Sequence, residues 1–240
     1  IRIDAGIYAE YTSNRQLWEG MAAFASDKGT GIQLHLSQTK EELDSCLDRT
    51  GLTPTELLSC HGVFSAPATV AGCGSLTEED MQLLSKKKAS AVILPIADAK
   101  AGHPAAPVLP MVRSGMNVAL GTGGAADCGN MDLFEVMRFL ALSARAAQGD
   151  PTGFPAQAPL MMATVCGARA QGRAQECGML KEGMDADIVL VDFSAPHLMP
   201  CHNVLSGLVF SAKGGDVAMT MVRGNILYKN GQFPTMDMNR

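Results

Sequence analysis

The sequence predicts an α/β fold built on parallel strands. Over residues 1–150 the apolar residues switch repeatedly between alternation and helical spacing. The strand starts recur about 26–34 residues apart, the length of one βα unit. Strands that alternate with helices form parallel sheets, because each crossover returns the chain to the same edge direction.

The elements follow in order. Residues 2–9 read as a strand, and residues 14–28 as a helix with Leu17, Met21 and Phe24 on one face. Residues 31–36 are the second strand, and residues 39–49 a helix carrying Leu43 and Leu47. The third strand is placed at residues 57–63, with a helix at 77–88. Residues 91–95 are the fourth strand, followed by a short helix near 107–114. The fifth strand, at 117–121, leads into a strong helix over 131–147. Five units are fewer than the eight of a closed barrel. Either the sheet is open, or three units are missing from the front. Strands such as 32–36 and 91–94 are apolar enough for burial on both faces.

Beyond residue 150 the texture changes. A helix is expected at 160–170, then short strands at 187–191, 208–210, 219–222 and 226–228. Gly224-Asn225 and Asn230-Gly231 are turn signals between them. This tail reads as a small β-rich module.

Composition narrows the function classes. The 240 residues carry 24 acidic and 19 basic side chains, a net charge of −5. Nucleic-acid binders need a basic face, so that class is disfavoured. With 47% hydrophobic and 18% charged residues the chain is no extended disordered polymer. No run reaches the roughly 18 apolar residues of a membrane span. The seven cysteines are odd in number and lack CxxC spacing, which fits a reducing, cytoplasmic setting. The chain opens at Ile1 in mid-pattern, so an upstream region is expected.

Ligands of parallel α/β folds gather at the C-terminal ends of the strands. His35 and His61 are assigned to the ends of the second and third strands, where two imidazoles could converge on one cavity. The turn Gly121-Thr122-Gly123-Gly124 reads as a tight turn without the lysine of a phosphate loop. His103, His197 and His202 lie in loop or tail and read as structural or solvated.

Taken together, the segments IYAEYTS (7–13), IQLHLSQTKEE (32–42), CHGVF (60–64), ALGTGGAA (119–126), MDLFEVMR (131–138), MATVCGA (162–168), GMLKEGMDADIVL (178–190) and VRG (222–224) are specific in their order. The order resembles the amidohydrolase superfamily, and within it the methylthioadenosine/S-adenosylhomocysteine deaminases and related chlorohydrolases. The resemblance implies the C-terminal portion of a (βα)8 TIM-type barrel, strands four to eight, over residues 1–175. Residues 176–240 would be the C-terminal part of a small β-sandwich.

The resemblance also implies a metal-dependent hydrolase of C–N bonds, deaminase-like, acting on a small heterocyclic amine. Zinc or a similar divalent ion would be the cofactor. His35 matches the strand-five metal ligand, and His61 is matched to the strand-six histidine that contacts the reacting water, metal or substrate. Gln38 stands where the family has its proton-shuttling Glu and would contact substrate, as would Tyr8. Gly123 stands where the strand-eight Asp is found, and Ala97-Asp98 where the strand-seven Ser-Asn pair is found. These replacements leave the alternative of a non-catalytic paralogue or fragment that binds a small molecule or partner. They also predict poor binding of a transition metal by this chain alone. The missing barrel half is expected from an upstream region or another chain, and homo-oligomer formation is expected. No nucleic-acid or membrane partner is.

Overall fold

The structure, a computed structural model, describes residues 2–237; Ile1 lies outside them. Five parallel strands make one sheet in sequential order: β1 (Ala5–Gly6), β2 (Ile32–Leu36), β3 (Ala68–Gly72), β4 (Ser90–Ile93) and β5 (Asn117–Leu120). Ile32 pairs with Ala5 on one side and Ala68 on the other. The alternating β–helix pattern therefore produces the parallel α/β sheet that the periodicity predicts.

Helices α1 (Arg15–Lys28), α2 (Lys40–Thr50), α3 (Pro54–Cys60), α4 (Glu78–Lys86), α5 (Pro95–Ala101), α6 (Val108–Arg113), α7 (Ala125–Cys128) and α8 (Leu133–Gln148) connect and follow the strands. Their limits are set by local chemistry. The Asn14 side chain accepts from Leu17 N at 3.0 Å to open α1, and Gly29, with φ 63°, closes it. Thr39 opens α2, Thr77 opens α4 and Asp132 opens α8 in the same way.

The two faces of β2 differ, which corrects the expectation of burial on both for residues 32–36, whereas in residues 91–94 only Val92 is part-exposed. Ile32, Leu34 and Leu36 are buried in the core, while Gln33 and His35 point to the opposite, partly open face. Gln33 Nε2 donates to Asp4 Oδ2 there at 2.7 Å. Val70, Ala91, Val118, Leu84, Met111 and Val136 continue the same core between sheet and helices.

Two strand assignments are overturned. Residues 57–63 were expected as the third strand, but Pro54–Cys60 is helical. Thr53 and Glu56 form a capping box around Pro54, which holds the N1 position. The third strand is instead β3, which starts at Ala68, eleven residues later. Residues 208–210 likewise belong to a helix, α11 (Val204–Phe210), opened by the Asn203 side chain on Ser206 N. The helix expected at 160–170 breaks at Thr164 into α9 (Gln157–Ala163) and α10 (Val165–Ala170).

Helix α10 crosses the N-terminal ends of the strands. Its Cys166 carbonyl accepts from Asn117 Nδ2, and its Ala170 carbonyl from Thr69 Oγ1, each at 3.0 Å. Arg2 reaches the Gly172 carbonyl just beyond it. The tail then forms an antiparallel three-stranded sheet, β6 (Ile188–Val191), β7 (Val217–Val222) and β8 (Asn225–Lys229). Among the described residues no helix is long and apolar enough to cross a membrane.

Candidate functional site

The strand C-termini bring together the segments at Tyr8, His35–Gln38, Gly72–Gly74, Leu94–Asp98 and Gly121–Gly124. His35 is fixed at the end of β2. Its backbone N–H and its Nδ1 both meet the Tyr8 carbonyl, at 2.9 and 3.1 Å. A carbonyl only accepts, so Nδ1 is the donor in this contact. The Tyr8 ring lies against the imidazole with centroids 5.1 Å apart.

The turn after His35 rests on a buried carboxylate. Glu42 Oε1 accepts from Ser37 N at 2.9 Å and Oε2 from Gln38 N at 2.8 Å. Burial pushes the Glu42 carboxyl above the usual carboxylate range. The two backbone N–H groups oppose that rise, the Glu10 charge adds to it, and His35 opposes it.

Gln38 turns toward β3 and β4. Its Nε2 donates to Asp98 Oδ1 at 2.9 Å, across 60 residues of sequence. Asp98 is buried, its Oδ2 has no hydrogen-bond partner, and His103 Nδ1 stands 3.6 Å from Oδ1. Two glycines make room for this arrangement. A Cβ at Gly72, where φ is +88°, would stand 3.0 Å from Gln38 Cγ. A Cβ at Gly74 would stand 2.6 Å from both the Gln38 and the Pro104 carbonyl oxygens.

His61 is not at a strand end. It caps the C-terminus of α3, its Nδ1 lies 3.0 Å from Glu19 Oε1, and its ring lies 5.4 Å from that of Trp18. Both partners are on α1, so His61 sits in the helical layer; the residue that ends the third strand is Gly72. The pairing of His35 with His61 in one strand-end cavity is thereby corrected.

Gly123 adopts φ +73°, with Ala97 and Asp127 as its neighbours. Asp127 is tied down locally, its Oδ2 accepting from Gly124 N at 2.8 Å. His197 pairs with Asp216 in the tail at 3.0 Å. Among the described residues no group of three or more His, Cys, Asp or Glu side chains could hold a metal ion.

A profile of the amidohydrolase family matches residues 3–227. The chain belongs to the amidohydrolase family. It is 37% identical over its whole length to a 5-methylthioadenosine/S-adenosylhomocysteine deaminase of Caldanaerobacter subterraneus subsp. tengcongensis, covering 55% of that protein. It is 38% identical over 97% of its length to a 5'-deoxyadenosine deaminase of Methanosarcina acetivorans, covering 53% of it. The chain thus spans about half the length of the curated relatives it matches. A zinc-bound adenosine deaminase from Xanthomonas campestris superposes with a TM-score of 0.93 at 28% identity, over 98% of this chain and 54% of that one.

Tyr8, His35, Gln38 and Gly123 all stand in the motif segments quoted from the sequence, and Asp98 stands in the Ala97-Asp98 pair matched to strand seven. No motif pointed to Gly72, to the role of Glu42 or to the approach of His103 to Asp98. The Glu42 signal was present as a carboxylate four residues after the strand-end Gln38.

Proposed function

We propose that β1 to β5 are strands four to eight of a (βα)8 barrel over residues 1–175, and that residues 176–240 contribute part of a β-sandwich. On this reading the protein is an amidohydrolase-type hydrolase of C–N bonds, taking a heterocyclic amine of the kind named in its relatives. His35 is the observation that carries it. Its Nδ1 is committed to the Tyr8 carbonyl, and this contact fixes the ring at the end of β2. Tyr8 and Gln38 border the strand-end opening and would contact substrate.

The residues present do not compose a metal centre. A catalytic zinc takes about three protein ligands; His35 offers one, whereas Gly72 and Gly123 offer none. Further ligands would have to come from the three strands that complete the barrel, and no step through a metal is assigned to this chain.

A second reading, a non-catalytic paralogue that keeps the pocket to bind a small molecule or partner, is favoured by Gln38. An amide hydrogen-bonds but carries no proton near neutral pH, and this one is engaged by buried Asp98. The test is metal content after dialysis of the full-length protein, measured beside ammonia release from 5-methylthioadenosine, S-adenosylhomocysteine and 5'-deoxyadenosine. Ammonia release with stoichiometric metal supports the hydrolase. Saturable nucleoside binding with neither metal nor ammonia replaces it with the second reading.

A further inference from the structure

Gln38 is held at three points. Its backbone N–H donates to Glu42 Oε2 at 2.8 Å. Its side chain lies over Gly72, where a Cβ would stand 3.0–3.3 Å from Gln38 Cβ, Cγ and Cδ. Its Nε2 donates to Asp98 Oδ1 at 2.9 Å. Asp98 is not free to follow a turning amide. It lies in the first turn of α5, its side chain is 3% exposed, and its backbone N–H and carbonyl are tied to Leu94 and His103.

These contacts decide which end of the amide is open. A carboxylate oxygen accepts, so the NH2 end faces Asp98. Gln38 is half-buried; its Oε1 takes no hydrogen bond from any described residue, yet is not sealed from solvent as Asp98 Oδ2 is. Donation to an anionic partner polarises the amide and makes Oε1 a stronger acceptor. A freely turning amide could present its NH2 to a bare ring nitrogen. The held one spends one N–H on Asp98 and keeps both lone pairs of Oε1 for a ligand.

We propose that Asp98 is a positioning residue that fixes Gln38 as a hydrogen-bond acceptor in the strand-end opening. The site then selects a heterocycle by an amino or ring N–H and not by a bare ring nitrogen. This rests on the reading that the opening takes a heterocyclic amine. It applies equally whether the amine is hydrolysed or only bound, because the selection needs no proton transfer.

The experiment is calorimetric titration of the full-length protein with two nucleosides that both lack the ring nitrogen beside the amino group. 1-Deazaadenosine carries the amino N–H, and 1-deazapurine riboside is the same ring without it. The first is expected to bind about tenfold tighter. Asp98→Asn offers Gln38 either an oxygen or an NH2, so the amide settles in both orientations, and the preference is expected to fall to about threefold or less. Gln38→Met removes Oε1 and leaves the buried carboxylate in place; it is expected to bring the two ligands to within about twofold. A merely structural role for Asp98 would weaken both nucleosides together and leave their ratio as it was. Equal binding of the two by the native protein, or a ratio unchanged in Asp98→Asn or in Gln38→Met, overturns the proposal and leaves the heterocycle reading standing. No saturable binding of either nucleoside overturns both.

Discussion

Glu42 holds the turn after β2 with both carboxylate oxygens, one on Ser37 N and one on Gln38 N. In Glu42→Gln the amide oxygen serves one of these donors and the other faces an NH2 group. A loss of about 1–3 kcal/mol is expected in urea unfolding. The pH dependence has a definite sign. Burial raises the folded carboxyl above its unfolded value, so Glu42's contribution is full below the unfolded pKa and shrinks as pH rises through the folded one. The stability gap between the native protein and Glu42→Gln should therefore narrow as pH increases from acid toward neutral. Gly72 and Gln38 make a coupled pair. Gly72→His sets a Cβ at φ +88° and 3.0 Å from Gln38 Cγ, and is expected to cost about 1–3 kcal/mol. Adding Gln38→Ala removes Cγ and Cδ but leaves Cβ 3.1 Å away, so a double-mutant cycle should show partial relief, a coupling of at least about 0.5 kcal/mol. Gly123→Asp meets only ordinary contacts, and Asp tolerates the left-handed region better than most residues, so this variant is expected to remain folded. His35 was legible at the end of an apolar strand run, whereas Gln38 and Gly123 were legible only through the family motif. Gly72 was not, since a glycine shows no side chain to a pattern, and the Gln38–Asp98 contact spans too much sequence for any spacing rule.

Among elements, α8 is the one that ties the tail to the sheet. A single carboxylate does two jobs: Asp132 Oδ1 accepts from Phe134 N to cap the helix, and Oδ2 accepts from Gly214 N at 2.8 Å. One turn further, Arg138 donates to the Ala212 carbonyl at 2.7 Å. Asp132→Ala should therefore cost more than an isolated cap, about 2 kcal/mol. Limited proteolysis should show earlier cutting near residues 211–216, whereas the loops flanking β2 should keep their native resistance. Most elements were readable from period and caps. The exceptions have local causes. Leu57, Leu58 and Val63 look like a strand when the Thr-Pro-Thr-Glu start signal before them is overlooked. The true third strand, Ala-Thr-Val-Ala-Gly, has side chains too small to stand out. In α11, Val204, Leu205, Leu208 and Val209 follow helical spacing that the shorter window 208–210 could not display.

For the molecule as a whole, β1 and β5 each have a single neighbour in the sheet, and β1 pairs over only two residues. The face bearing Gln33 and His35 is partly open. Unpaired strand edges recruit further strands. Residues 1–240 produced in isolation are expected to self-associate, and light scattering during gel filtration checks this; a monodisperse monomer with one cooperative unfolding transition would show that the edges are closed from within. The α10 floor has a different consequence, one of timing. A ribosome adds about 5–20 residues per second. Asn117 must await a carbonyl 49 residues downstream, and Thr69 one 101 residues downstream. Thr69 therefore stays without its partner for about 5–20 s of synthesis at those rates. Throughout that interval the nascent sheet has no base, and a chaperone that binds open α/β layers has its longest opportunity to act before Ala170 leaves the exit tunnel.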